Sequence, residues 1–546
     1  MNFIKYESEQ KLRGGYYTPL DLATYISKWV MEHHPQRILE PSCGDGVFVD
    51  ALTKIGFPQG TKFTGFELLP SEARKVQEKC NHAPELIADI HARDFLGWAI
   101  RRMSQPDAAF DAVIGNPPFI RYQYLSEEAQ ANAEKIFRLL SLPFTKHTNA
   151  WVPFVLASIS LLSPHGRLGM IVPSEIIHVA HAQSLRTYLG ETCSRLLIID
   201  PEELWFDGTL QGAVILLAEK KEAASDHSDG LGIMKVSGRR FIEESSSQHF
   251  ESIARINGKT VEGKWTRALL SSQERTLLEA LGDHKETFRF DAIAEVDVGI
   301  VTGANNFFLV NDDVVKKYGL EKYAHPMFGR SAHCRGVIYD KHQHAENAKQ
   351  GNPTNFIWLN EDLDTMSETV AEYVRLGEAQ SLHTRYKCRI RRPWYTVPSV
   401  YATKVGMLKR AHDTPRLIYN RLEAYTTDTA YRITANACAP EKLVYCFANS
   451  LTALSAELEG RHYGGGVLEL VPSEIERLLI PLPDKLRPEV RQLDNLVREA
   501  DAQTVLEVQD KKVLGPLGLT NNEQAQLVEA WLRLKNRRQR IAEIEI

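Results

Sequence analysis

Residues 37–68, RILEPSCGDGVFVDALTKIGFPQGTKFTGFEL, decide the fold. RILE and KFTGFEL are short apolar and aromatic runs of strand length. Between them VFVDALTKI spaces its apolar side chains at i, i+3 and i+4, as an amphipathic helix requires. The joint between the first strand and the helix carries Gly44 and Gly46, which let main-chain N–H groups approach a ligand closely. Strand, glycine turn, helix and strand form the opening unit of a doubly wound α/β sheet.

The pattern continues outward. LIAD (86–89), FDAVIGN (110–116), RLGMIVP (167–173), RLLIID (195–200) and AVILLAE (213–219) read as further strands, which makes seven in all. SEARKVQEKC and SEEAQANAEKIFRLL read as helices opened by a serine cap. PEELWFDGTLQG, between the last two strands, is too short for a crossover helix, so the last strand is expected to run antiparallel as a hairpin. The polar stretch KKEAASDHSDGLG (220–232) places a domain edge near 225. Expected beyond it are a connecting region (226–285) with a helix over SSQERTLLEAL, an α+β region (286–485) of strand-like runs between Gly, Pro and Asn turns, and a helical tail (486–546).

Composition sets outer limits. The 546 residues are 43% hydrophobic and 25% charged, ordinary globular usage, which excludes a disordered chain or a coiled-coil rod. A net charge of −5 means that any nucleic acid must be met by a local basic face. Seven scattered cysteines without a C-x-x-C pair argue against a disulfide framework, and no apolar run approaches the ~18 residues of a membrane span. A cytoplasmic protein that engages no membrane is expected. His342, His344 and Cys334 are too few and wrongly spaced for a zinc site, so no metal is expected.

Four features fall at the carboxyl ends of successive predicted strands, where open α/β sheets bind ligands. The first is the turn from Glu40 and Pro41 through Cys43, Gly44 and Gly46. The second is Glu67, 21 positions after Gly46, close to the spacing at which an acid meets ribose hydroxyls. The third sets the carboxylate of Asp94 beside the ring of Phe95. The fourth, Asn116-Pro117-Pro118-Phe119, is the most specific. Two prolines fix the backbone and remove two donors, so the Asn side chain and the carbonyls present acceptors in a rigid array suited to a planar amine, with Phe119 able to stack on the ring that bears it.

YYTP (16–19), EPSCGDG (40–46), FE (66–67), RDF (93–95) and NPPF (116–119), in that order and followed by a large C-terminal extension, resemble the gamma-class DNA adenine-N6 methyltransferases of type II restriction-modification systems, the TaqI-type and PaeR-type modification enzymes. GIVTGANNFF (299–308) and YGGGVLELVPSEIERLLIPLP (463–483) more loosely resemble segments of their target-recognition domains. The resemblance implies a Rossmann-like class I methyltransferase domain over 1–225 and a DNA target-recognition domain over 286–485. It implies S-adenosylmethionine as cofactor, with Thr18 and Pro19 bordering its methionine moiety, Glu40 to Gly46 wrapping it, Glu67 on the ribose, and Asp94 and Phe95 on its adenine. Asn116 to Phe119 would hold the target adenine, rotated out of double-stranded DNA. A second aromatic expected before the last strand falls on Phe206, with Trp205 as rival. Phe119 stands where tyrosine is frequent, although only a ring face is needed.

Residues 381–422 hold ten cations (Arg385, Lys387, Arg389, Arg391, Arg392, Lys404, Lys409, Arg410, Arg416, Arg421) against one acid, Asp413. In YKCRIRRPWY they alternate with aromatics, which fits a surface on phosphates and bases, with Arg389, Arg391, Arg392, Trp394 and Tyr395 as its candidates. The cluster Arg533, Lys535, Arg537, Arg538 and Arg540 on the last helix reads instead as a solvated face. N-P-P-[FY] also serves RNA guanine-N2 and protein glutamine-N5 methyltransferases. The long basic extension favours DNA adenine over these and over a non-catalytic DNA-binding subunit. No nuclease motif is found, so a separate cognate restriction endonuclease is expected to cut the same site.

Overall fold

The computed structural model describes residues 17–105, 109–205, 212–257, 263–463 and 465–539. The described residues divide into two compact units, one running from 17 to 269 and the other from 270 to 539.

The first unit is built on an eight-stranded sheet of order β3-β2-β1-β4-β5-β7-β6-β8. Its strands are β1 (Arg37–Glu40), β2 (Lys62–Glu67), β3 (Ile87–Ala92), β4 (Phe110–Gly115), β5 (Leu162–Pro173), β6 (Cys193–Pro201), β7 (Ala213–Lys220) and β8 (Gly230–Val236). All seven expected strands form. β7 lies antiparallel between β5 and β6, as the short connection required, while every other pairing is parallel. This is the class I methyltransferase strand order. The expected count of seven is corrected to eight, because β8 pairs in register with β6 from Arg195↔Gly230 to Pro201↔Val236. The stretch 220–232, polar enough to suggest a boundary, therefore includes the entry to a strand, and the first unit extends past 225 to 269.

Strand order reverses at β1, which pairs with β2 on one side and β4 on the other. The carboxyl ends of these three strands thus diverge around a crevice. Helices α1 (Leu20–Met31) and α2 (Val47–Ile55) pack together, and α1 also lies on β4 and β5. The apolar face of α1, including Leu22, Ile26, Trp29 and Val30, is fully buried. Arg167 of β5 pins this helix to the sheet: its guanidinium lies 4.7 Å from the Trp29 ring centroid, donates to the Trp29 carbonyl at 2.8 Å, and pairs with Glu219 at 3.4 Å.

The second unit is α+β. A five-stranded sheet joins Ala294–Val298, Ala430–Ala435, Val405–Leu408, Leu417–Asn420 and Ile338–Tyr339 in that order. One core lies between this sheet and helices Pro440–Phe447, Val490–Glu499 and Ala502–Val513, and a second gathers around Phe307, Phe308, Tyr373 and Trp394. The helix over SSQERTLLEAL forms as Ser272–Gly282 with a Ser271/Glu274 capping box. The predicted tail is no separate region. The last helix, Asn521–Gln539, buries Leu527, Trp531 and Leu534 in this unit.

The basic end of that helix is also a correction. Arg538 is not solvated: its guanidinium and the Glu457 carboxylate are both fully buried, 2.8 Å apart. Arg533 reaches Glu274 at 2.6 Å and Lys535 reaches Asp413 at 2.9 Å, while Arg540 lies outside the described residues. Helical periodicity alone does not reveal carboxylates supplied from elsewhere in the chain.

Removing one member of a buried pair strands the other charge. Arg538→Met should therefore cost about 3–5 kcal/mol in urea unfolding of the second unit. Combining it with Glu457→Leu should recover most of that loss.

Candidate functional site

The site is assembled at the carboxyl ends of β1, β2 and β4. After β1 the chain turns through Gly44 (φ 54°) and Gly46 (φ 82°), left-handed conformations that favour glycine. The Cys43 N–H donates to the Phe66 carbonyl at 2.8 Å, locking the turn to the end of β2. Glu67, the last residue of β2, accepts the Gly44 N–H at 3.0 Å on one oxygen and the Leu69 N–H at 3.0 Å on the other. A carboxylate offers about four acceptor positions, so each oxygen keeps capacity for a hydroxyl. Burial pushes the Glu67 carboxyl above its ordinary range, against the pull of these N–H groups.

Glu40 is the anomaly of the site. Its side chain is 1% exposed, and neither carboxylate oxygen has a hydrogen-bond partner among the described residues. The nearby Cys43 thiol sends its own hydrogen bond to the Glu40 main-chain carbonyl, at 3.7 Å. Burial drives the Glu40 pKa well upward against the pull of the neighbouring Cys43 thiol, and Asp45 and Glu67 push it up further. Such a carboxylate is costly unless a ligand supplies the missing donor. A cofactor bearing an ammonium and a sulfonium fits that need, and one with a ribose fits Glu67. The residues present therefore suit S-adenosylmethionine.

Four more residues bring the acceptor motif beside this turn. Gly115, at φ 155°, packs where an added Cβ would lie 3.4 Å from the Pro41 ring and 3.7 Å from the Glu40 side chain. The Ser42 hydroxyl donates to the Asn116 main-chain carbonyl at 2.8 Å. Thr18, 7% exposed, receives a hydrogen bond from Asn116 Nδ2 on its Oγ1 at 3.2 Å. In that bond Nδ2 is the donor, and the amide's acceptor atom is Oδ1. Pro19 caps α1, which carries Thr18 to this position. Pro117 is buried, and Phe119 is half-buried with its ring against the core of the first unit.

Other expectations fare differently. Asp94 caps the helix Phe95–Arg102, accepting from Gly97 N at 2.7 Å and Asn132 Nδ2 at 3.1 Å. The Phe95 ring is 2% exposed, packed against Phe66 at 5.5 Å and Phe154 at 5.3 Å, so it forms wall rather than open face. Phe206 lies outside the described residues. Its rival Trp205 is 7% exposed and stacked on Phe241 at 5.9 Å, with the Arg239 guanidinium 5.4 Å from its ring, so its faces are already occupied.

Sequence reading takes Ser42 only as part of the Glu40–Gly46 turn and passes over Gly65, whose Cβ would fall 2.7 Å from Cys43 Sγ. It also misses Glu175, just past the end of β5. Glu175 accepts from Asn149 Nδ2 at 3.1 Å, and the adjoining Ala150 N–H donates to the carbonyl of Ile120, which follows the NPPF motif, at 2.8 Å. Its position after a strand is the available signal.

In the second unit, the basic segment needs correcting. Trp394 and Tyr395 are buried, with the indole donating to Glu378 at 3.1 Å and the phenol to the Glu361 carbonyl at 3.1 Å. The Arg391 guanidinium donates to the carbonyls of Thr302 at 2.8 Å and Val301 at 2.6 Å, within the GIVTGANNFF turn. These three residues hold the segment in place. Arg389 and Arg392 are exposed, although Arg392 donates back to the Arg389 and Arg391 carbonyls at 3.0 Å.

The family profile described as Eco57I restriction-modification methylase matches residues 61–205, and that of the C-terminal domain of type II methyltransferase M.Eco57I matches 262–514. Type II methyltransferase M.AccI of Acinetobacter calcoaceticus is 23% identical over 85% of this chain and 84% of its own length. M.XamI of Xanthomonas campestris pv. amaranthicola is 24% identical over 87% and 86% respectively. Among solved structures, a DrdV–DNA complex is similar over 92% of this chain and 58% of its own, at 12% identity and a TM-score of 0.48.

An unpaired buried carboxylate trades stability for binding. The raised pKa of Glu40 means that its native-state penalty is absent at low pH and grows as pH rises through the folded value. Glu40→Gln should therefore stabilise the ligand-free protein by roughly 1–3 kcal/mol at pH 8 and by less at pH 5. The same change should weaken S-adenosylmethionine binding at least about tenfold. Scanning calorimetry and titration calorimetry check the two halves.

Proposed function

Because the chain is a type II restriction-modification methyltransferase of the Eco57I family, we propose that it is adenine-specific and methylates N6 of an adenine rotated out of duplex DNA. One observation carries the reading: Asn116 Nδ2 donates to Thr18 Oγ1 while the motif's two prolines offer no N–H donor, so the acceptors of this strand end are the Asn116 amide oxygen and the main-chain carbonyls. An exocyclic amine donates one hydrogen to Asn116 Oδ1 and the other to the Pro117 carbonyl. This draws its nitrogen towards sp³ geometry and exposes the lone pair. Phe119 presents a ring face to the base, offsetting part of the few kcal/mol that unstacking costs.

S-adenosylmethionine, when bound, supplies an electrophilic methyl group on a sulfonium centre. Glu40 holds its ammonium, the Gly44 to Gly46 turn wraps the methionine moiety, and Glu67 receives the ribose hydroxyls. Asp94 and the wall containing Phe95 border its adenine. Most of the catalysis comes from position, since the Ser42–Asn116 bond fixes the acceptor motif against the cofactor turn. In this reading the protein works in the cytoplasm and modifies DNA only, protecting it from a cognate endonuclease on a separate chain.

Asn116→Ala removes the oriented acceptor without touching Glu40 or Glu67. Transfer of labelled methyl to duplex DNA should fall by at least about a thousandfold, while S-adenosylmethionine affinity changes by less than about tenfold. Turnover within tenfold of wild type would refute the assignment.

A further inference from the structure

The segment Arg385–Arg392 of the second unit presents an apolar pair to solvent. Its inward side is fixed: Cys388 is fully buried, its thiol 3.9 Å from the Thr302 carbonyl, and Arg391 is bonded to the same turn. Gly303, at φ 81°, lies so close beneath that an added Cβ would fall 2.7 Å from Lys387 Cβ. The segment is therefore seated on a rigid turn, and what it shows to solvent is set by that seat.

Outward it shows Tyr386 and Ile390, each 62% exposed. They stand four residues apart across the helical turn Tyr386–Arg389 and its cap Ile390, so they project from one side. Cations flank them. Lys387 Nζ and the Arg389 guanidinium each lie 5.5 Å from the Tyr386 ring centroid. Arg385, Lys387 and Arg389 have no ion pair among the described residues, and the sequence from 381 to 412 contains no acid. The positive charge here is uncompensated.

An acidic protein surface would satisfy the cations but would need an apolar patch set among its acids to cover Ile390. Duplex DNA satisfies both, because phosphates border grooves in which base steps accept apolar side chains. Resting on the reading that this chain acts on DNA, we propose that Tyr386 and Ile390 form a wedge that enters a groove of the duplex and lies against base steps, while Arg385, Lys387 and Arg389 neutralise the phosphates beside it. Recognition by this segment then has two separable parts, a salt-dependent grip and a salt-independent insertion.

The test is equilibrium binding of the full-length protein to duplex DNA across a salt series, for wild type, Tyr386→Ala/Ile390→Ala and Lys387→Ala/Arg389→Ala. The wedge variant should lose about ten- to hundredfold in affinity at every salt concentration, with the slope of log K against log[salt] unchanged. The cation variant should flatten that slope by about 0.9 for each phosphate no longer neutralised. Tyr386→Phe/Ile390→Leu should bind as wild type, which separates a lost wedge from a misfolded segment. Wild-type affinity in the wedge variant, or a loss accompanied by a flatter slope, would overturn the wedge while leaving DNA as substrate intact. Failure of the wild type itself to bind duplex DNA would overturn the reading on which the wedge rests.

Discussion

The hydrogen bond from the Ser42 hydroxyl to the Asn116 main-chain carbonyl joins the two halves of the site. Ser42 belongs to the turn after β1 and Asn116 to the motif after β4, and those strands are neighbours because strand order reverses at β1. The sheet thus delivers the Gly44–Gly46 turn and the Asn116–Phe119 motif to neighbouring strand ends, where one hydrogen bond joins them. Gly115 permits the approach through its φ of 155°, a backbone conformation that residues with a side chain rarely adopt. Thr18, carried in by the segment before α1, completes the arrangement by accepting a hydrogen bond from Asn116 Nδ2.

The same crevice stores a cost. Glu40 is buried without a hydrogen-bond partner among the described residues, and Glu67 is held above its ordinary pKa by burial. Two carboxyls in a poorly solvated crevice make an unliganded site expensive and a cationic ligand welcome. The unsatisfied Glu40 points to a ligand because it is a buried carboxylate at the carboxyl end of β1, where open α/β sheets bind ligands.

What can be read from the chain follows the range of the interactions involved. β1, the Gly44/Gly46 turn, Glu67 and NPPF are local patterns, and each falls where its spacing places it. β8 escapes a reading of the sequence because its entry, SDGLG, is polar and glycine-rich, and only pairing with β6 makes it a strand. Trp394 and Tyr395 read as a DNA face because alternation with cations does not say which side of a segment is buried. Burial is set by Glu378, Glu361 and the 299–303 turn, all distant in sequence. The same holds for Arg538, whose partner Glu457 lies on another helix. Ser42 carries no signal of its own, since a serine in a glycine-rich turn is unremarkable until Asn116 is beside it.

The central claim is that this crevice presents an amine acceptor array to adenine in DNA. The most direct measurement is to incubate the protein with S-adenosylmethionine and unmethylated duplex DNA, digest to nucleosides, and quantify methylated products by mass spectrometry. The account predicts N6-methyldeoxyadenosine as the product. Methylcytosine, or no methylated nucleoside from protein shown to bind the cofactor, would contradict it.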